Sequence, residues 1–212
     1  MKKVAMVIRN LMFKEKKFVT SKELEELCIQ FGLNYENTKK LLLNKGFLLT
    51  IFRGIFYAKD FNEKRTGMIK YTPYELLSKG MEIKGIKNWY LGLYTALKLL
   101  NLTHEFFPMN YVINDRFNRI KPMKIHNENF KFVKIKNNLF FGIVEVKTKN
   151  NIILRYSDLE KTVLDMTYLY KKAGKLGSTI NSLIMEYDSF IDKKKLLNYS
   201  EYYPKTIKRL IT

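Results

Sequence analysis

The stretch Phe18 to Ala58, FVTSKELEELCIQFGLNYENTKKLLLNKGFLLTIFRGIFYA, decides the fold, because its consecutive local signals spell two short helices and a hairpin. Thr20 with Glu23 three residues later is a capping box. Leu24, Leu27, Cys28 and Phe31 then recur at i, i+3, i+4 and i+7, the period of an amphipathic helix. Gly32 sits where a left-handed C-terminal residue is wanted, and Asn34 can cap a second helix running from Tyr35 to Lys45. Gly46 ends that helix. Phe47 to Phe52 and Ile55 to Ala58 are apolar, aromatic runs separated only by Arg53-Gly54, a two-residue hairpin turn. Two helices joined by a tight glycine turn and followed by a hairpin have the order of a winged helix-turn-helix.

Turned at about 100° per residue, the second helix directs Leu41, Leu42 and Leu43 inward with Thr38 and Tyr35 beside them, and presents Asn37, Lys40 and Asn44 on the opposite face. Asn pairs with adenine and Lys contacts guanine or phosphate from a helix lying in the major groove. Lys39 and Lys45 flank this face, and Arg53 at the hairpin tip suits the backbone or minor groove. These six side chains are the candidate DNA-binding set. A helical module with a merely solvated polar face, or a winged helix serving as a protein-interaction adaptor, would carry the same pattern.

The chain has 212 residues, of which 46% are hydrophobic, enough for two modest cores. The expected organisation is α+β: a winged helix-turn-helix at 1–62, a connector with a short helix at 63–84, and a mixed α/β domain at 85–212 with a small, mostly antiparallel sheet and a helical tail. A formal charge of +19 calls for an anionic partner, and nucleic acid is the usual one. Lys, Ile, Asn and Tyr are all abundant, as AT-rich coding imposes on any protein, so the charge is partial support only. The lone Cys28 excludes a disulfide framework or a cysteine metal cluster within one chain and belongs on the apolar face of its helix. The apolar stretches are short, and the first residues lack a long apolar region followed by a small-residue cleavage site, so a cytoplasmic protein with no membrane contact is expected.

Val4 to Phe13 reads as a first helix with Val4, Ile8, Leu11 and Met12 on one face, and Lys14, Lys16 and Lys17 follow as a basic turn. Asp60 to Met68 is polar without a clear period, which marks a domain boundary. Thr72-Pro73-Tyr74-Glu75 starts a helix that Gly80 ends. Asn88 to Leu100 has the spacing of a helix, with Trp89 as a core anchor. Met109–Ile113, Phe130–Ile135, Leu139–Val146 and Ile152–Tyr156 have the composition of strands, with turns at 136–138 and 149–151. Ser157-Asp158-Leu159-Glu160 is a capping box for a helix carrying Leu159, Val163, Met166 and Tyr170. The tail beyond the break at 171–177 reads as two or three helices.

Catalysis has three footholds, each with a structural explanation. Glu145-Val146-Lys147 matches half of a metal-dependent nuclease site, with Asp115 as the upstream carboxylate, but alternating charge on a solvent-facing strand explains it equally. Asp158 and Asp165 could form an acid–base pair, yet Asp158 also suits a helix start and Lys161 can pair with Asp165 at i, i+4. His104 and His126 lie far from any other metal ligand in sequence. No P-loop, dinucleotide fingerprint or Ser-His-Asp pattern is present. A non-enzyme without cofactor or bound metal is expected.

The order of motifs resembles a known family. Thr20-Ser21-x-Glu23-Leu24 and Arg53-Gly54 are followed by WYLGLYTAL (Trp89–Leu97), NLTHEF (Asn101–Phe106), a Pro108-x-x-Tyr111-Val112-Ile113 strand, LFFGI (Leu139–Ile143) and SDLEKTVLDM (Ser157–Met166). In this it is similar to AbiEi-type antitoxins, the regulator half of type IV abortive-infection toxin-antitoxin pairs. The most specific elements are Tyr90-x-Gly92-x-x-Thr95-Ala96-Leu97 and Glu160-Lys161-Thr162-x-Leu164-Asp165. The resemblance covers nearly the whole chain, leaving the region after about Gly174 and the stretch Asn118–Asn129 unmatched. It implies an N-terminal winged helix that binds inverted repeats in its own promoter, and a C-terminal domain that carries antitoxicity. The implied functional partner is a nucleotidyltransferase toxin with which no stable complex forms.

Overall fold

The computed structural model describes residues 2–13, 17–175 and 177–211. Lys14 and Lys16 of the basic turn lie outside the described residues. The chain divides into two compact units, Met1–Gly85 with Ile125–Asn127, and Ile86–Lys124 with Glu128–Thr212. No described helix is long and apolar enough to cross a membrane.

The first unit contains α1 (Lys2–Phe13), β1 (Phe18–Thr20), α2 (Ser21–Gln30), α3 (Tyr35–Asn44), β2 (Leu48–Phe52), β3 (Ile55–Ala58), α4 (Phe61–Thr66) and α5 (Pro73–Ile83). The capping box starts α2: the Glu23 amide donates to Thr20 Oγ1 at 3.2 Å and the Thr20 amide to Glu23 Oε2 at 2.7 Å. Both α2 and α3 end in Schellman motifs on left-handed glycines, Gly32 and Gly46. Leu33 N donates to Cys28 O and Phe47 N to Leu42 O, satisfying carbonyls that a helix end leaves open. The two-residue turn at Arg53-Gly54 closes the β2–β3 hairpin. β1, which the sequence reading did not contain, pairs antiparallel with β3 to complete a sheet of order β1-β3-β2. Val7, Leu11, Leu24, Cys28, Leu42 and Phe56 meet in the core of these elements. The inward face of α1 therefore runs through Val7, with Ile8 and Met12 only half-buried.

Residues 63–84 fall within the first unit. The polar run at Asp60–Met68 is a helix, because Asp60 and Glu63 form a second capping box. Glu63 is buried, accepting from the Tyr57 hydroxyl and from the Lys70 amide at 2.8 Å. Gly80 does not stop α5; it lies inside the helix where Phe52 and Ile51 press so closely that a Cβ would come within 2.5 Å of the Phe52 ring. A register shift between Thr50 and Phe52 turns two consecutive side chains, Ile51 and Phe52, inward.

The second unit is built on a six-stranded sheet of order β6-β7-β5-β4-β9-β8, with β4 (Trp89–Gly92), β5 (Asn110–Asn114), β6 (Met123–Ile125), β7 (Glu128–Lys134), β8 (Ile143–Lys147) and β9 (Ile153–Ser157). The sheet is mixed, contrary to the mostly antiparallel expectation. β4–β5 and β8–β9 are antiparallel, whereas β4–β9 and β5–β7 are parallel. Against it lie α6 (Tyr94–Leu99), α7 (Leu159–Lys172), α8 (Gly177–Tyr187), α9 (Lys193–Ser200) and α10 (Lys205–Ile211). Leu97, Ile113, Val163, Leu164 and Met166 meet in their core.

The stretch Asn88–Leu100 is not one helix. It runs as a fully buried strand to Gly92, passes through Leu93 at φ 55°, and only then becomes helical. Gly92 permits this because its missing Cβ would sit 2.7 Å from Ile113 Cγ1. The cap of α7 is Asp158, whose side chain accepts from the Lys161 amide at 2.9 Å, while Ser157 stays in β9.

Candidate nucleic-acid interface

The sequence of α3 sets which side chains leave the first unit. Thr38 and Leu42 are buried against α2, with Leu41 and Leu43 half-buried, so Asn37, Lys40 and Asn44 fall on the exposed side within an arc of about 60°. Asn34 receives the Asn37 amide at 3.0 Å. The cap therefore holds the helix end while the Asn37 side chain stays outside.

Ser21 is the joint that places the hairpin against this helix. Its amide donates to Gly54 O at 2.8 Å, and its Oγ accepts from the Tyr35 hydroxyl at 2.9 Å. One residue thus ties the tip of β2–β3 to the first turn of α3. Gly54 is left-handed there, and a Cβ on it would stand 3.2 Å from Ser21 Oγ. Arg53 is consequently exposed at a tip that cannot swing freely relative to α3. Nothing in the sequence marked Ser21 and Tyr35 as positioning residues except their proximity to the two termini.

Of the six candidates, Asn37, Lys40, Asn44, Lys45 and Arg53 are exposed. Lys39 is engaged otherwise: its ammonium lies 2.7 Å from Glu36 and 4.7 Å from the centre of the Tyr35 ring. The hydrogen bond to Glu36 raises its pKa, so it stays cationic but turned toward its own helix. On α2 the exposed residues are Lys22 in the first turn, then Glu25, Glu26, Ile29 and Gln30, so only Lys22 adds a cation for a phosphate backbone.

The residues considered for catalysis lie elsewhere, and Glu145 and Asp115 are linked only through Asn88, which lines a pocket with Glu145 and donates to Asp115. Glu145 and Lys147 sit on β8, the edge strand, where Glu145 accepts from Arg155 Nε at 2.7 Å. Asp115 accepts from Asn88 Nδ2 at 2.9 Å. His104 is in an exposed loop and His126 in a turn. Among the described residues, no group of three or more His, Cys, Asp or Glu is placed to hold a metal ion.

Lys161 and Asp165 do pair at i, i+4, but in the centre of the second unit with both side chains fully buried. Tyr90 donates to Asp165 Oδ2 at 2.6 Å, Tyr203 donates to Oδ1 at 2.7 Å, and Lys161 Nζ lies 2.7 Å from the Tyr203 hydroxyl. Burial pushes the Lys161 ammonium below the ordinary lysine range, with Asp165 working against it. Burial and then the Asp165 charge hold both tyrosines well above theirs. Asp158 and Glu160 face α9, where Lys195 lies 3.1 and 2.8 Å from them. Burial opposes the Lys195 charge, but the two carboxylates outweigh it and raise the pKa. The SDLEKTVLD motif is thus a packing device, fastening α9 and the segment after it onto α7.

No family model matches the chain, and no curated protein does. The crystal structure of the RV2827C protein from Mycobacterium tuberculosis is similar in fold, with a TM-score of 0.63 at 11% identity over 100% of this chain and 75% of that one.

Proposed function

We propose that the first unit is a winged helix-turn-helix that reads double-stranded DNA, with α3 as recognition helix and the β2–β3 hairpin as wing. The observation that carries this is the exposed arc of Asn37, Lys40 and Asn44 on a helix whose first turn is tied through Ser21 to the Arg53 tip. A helix in the major groove uses Asn and Lys for base edges, and the cation beside it on the hairpin reaches the backbone. Lys45 joins as a phosphate contact, and Lys39 contributes charge at the flank.

The whole chain is, on this reading, a cytoplasmic transcription regulator and not an enzyme. The motifs from Trp89 to Met166 support the more specific role of an autorepressing antitoxin of the AbiEi type, which binds inverted repeats in its own promoter and offsets a nucleotidyltransferase toxin without a stable complex. Fluorescence anisotropy against its own upstream duplex and a scrambled duplex, each at two salt concentrations, tests the DNA reading. Asn37→Ala with Lys40→Ala is expected to weaken the cognate site by about 1–3 kcal/mol per base-reading residue. Unchanged affinity in that double variant would remove α3 from the interface. Rescue of growth on co-expression with a toxin encoded next to it tests the antitoxin role.

A further inference from the structure

Charge is not concentrated on the unit that carries α3. Residues 86–124 and 128–212 hold 22 Lys and Arg against 11 Asp and Glu, and between Arg116 and Lys136 seven basic side chains face one acidic one, Glu128. Part of this charge converges on a cleft of about 740 Å³ within the second unit. One side is the end of β7 and its exit, Val133 to Asn137; the other is the last turns of α7, with Tyr168, Leu169 and Lys172. Asp115 and Asn118, from the loop after β5, also line it.

The walls are built rather than incidental. Asn114 is fully buried, its Nδ2 donating to Phe117 O at 2.9 Å and its Oδ1 accepting from the Arg116 and Phe117 amides at 3.0 and 2.8 Å. That one side chain folds the loop carrying Asp115 and Asn118, and Ile135 N donates to Asn114 O at 3.0 Å, holding the β7 exit beside it. Ile135 is buried, so Lys134 and Lys136 on either side of it both project outward. Among the described residues none of Lys134, Lys136 and Lys172 is paired with a carboxylate. Three cations, none ion-paired, against the single lining carboxylate of Asp115, around an aromatic ring and an apolar floor, match a ligand with phosphates and unstacked bases. A duplex keeps its bases inside and would leave Tyr168, Leu169 and Val133 unused.

We propose that this cleft binds a single-stranded nucleic-acid segment, with phosphates against Lys134, Lys136 and Lys172 and a base against Tyr168. The site is lined only by residues of the second unit and does not rest on the duplex-reading role.

The test is anisotropy of fluorescein-labelled oligo-U and oligo-dT of about twelve nucleotides with the full chain across a salt series. The triple variant Lys134→Gln, Lys136→Gln, Lys172→Gln is expected to lose at least about tenfold in affinity and to flatten the log–log salt slope by about 2, as three lost single-strand contacts require. Tyr168→Leu is expected to lose at least about fivefold. A control triple of exposed lysines in the same unit, Lys98→Gln, Lys147→Gln, Lys149→Gln, removes the same charge and should change affinity less than about threefold. Tighter binding of oligo-U than of oligo-dT would assign the site to RNA through the 2′-hydroxyl, and the converse to DNA; either supports it. Absence of binding by the unmodified chain, or equal losses in the two triples, overturns it. So does loss of oligonucleotide binding in Asn37→Ala, Lys40→Ala, which would place the strand on α3.

Discussion

Removing the Lys161 ammonium tests whether the second unit is organised around a buried charge pair. Lys161→Met keeps the length of the side chain and its apolar contacts with Tyr90, Phe141 and Tyr203, whose ring centres lie 5.1–5.2 Å from Nζ. It leaves Asp165 fully buried with two tyrosine hydroxyl donors and no cation. Breaking a buried pair by deleting one partner costs about 3–5 kcal/mol. The two remaining donors put this variant at the lower end, about 3 kcal/mol. Trp89 supplies the assay: it is the only tryptophan, 3% exposed in β4, so its fluorescence follows the second unit alone. With an m-value of about 2 kcal/mol/M, the urea midpoint should fall by about 1.5 M. Asp165→Asn keeps an acceptor but strands the ammonium, and should cost a similar amount. Combined, the two substitutions should cost at least about 1 kcal/mol less than their sum, since each removes the interaction the other breaks. A midpoint shift below about 0.3 M for Lys161→Met, or strict additivity in the cycle, would refute the buried pair.

Gly80→Ala should lower the melting temperature followed by circular dichroism: overpacking against Phe52 and Ile51 costs about 1–3 kcal/mol, which exceeds the roughly 1 kcal/mol gained in helix propensity. Glu63→Ala should destabilise the first unit by about 3 kcal/mol in denaturant titrations, because the buried Tyr57 hydroxyl and the Asp60 and Lys70 amides lose their acceptor. Glu145→Ala should shift stability by less than about 1 kcal/mol, since its partnership with Arg155 is at the surface. At alkaline pH the raised pKa values of Tyr90 and Tyr203 make the native state hold protons that the unfolded chain loses above about pH 10. Their contribution is complete below that pH and is lost above it at up to about 1.4 kcal/mol per pH unit for each tyrosine; the lowered Lys161 works the other way only up to the ordinary lysine pKa of about 10.4, so beyond it the Trp89 urea midpoint should fall.

The helices and hairpin between Phe18 and Ala58 were legible almost to the residue, because caps and left-handed glycines act within three or four positions of where they stand. Elsewhere the same local signs misled. Gly80 in α5 resembles a stop, yet it is glycine because two side chains from a distant strand occupy the space of a Cβ. Tyr90, Leu93 and Leu97 recur at helical spacing, yet Tyr90 belongs to a strand, because β4 and α6 happen to bury the same side of a chain that bends at Leu93. The polar run after the hairpin hid a capping box because its N3 residue, Glu63, is buried and not solvated. Parallel pairing of β4 with β9 and of β5 with β7 leaves no turn signal at all, since the partners are joined by whole intervening elements.

The two surfaces proposed to bind nucleic acid differ in the same way. The α3 arc needs only the period of one helix, so Asn37, Lys40 and Asn44 could be grouped from sequence. The cleft gathers residues from Asp115 to Ala173, and the pairing of β5 with β7 brings its walls together through Asn114. A net charge of +19 is a sum over the whole chain and locates no surface. Because Lys134 and Lys136 are exposed while Ile135 between them is core, their replacement removes charge without removing packing. That separates the two surfaces experimentally: α3 variants should change duplex preference and leave oligonucleotide affinity intact, and cleft variants the reverse. If one set of substitutions abolished both activities while the Trp89 urea midpoint stayed unchanged, the two-site description would be refuted.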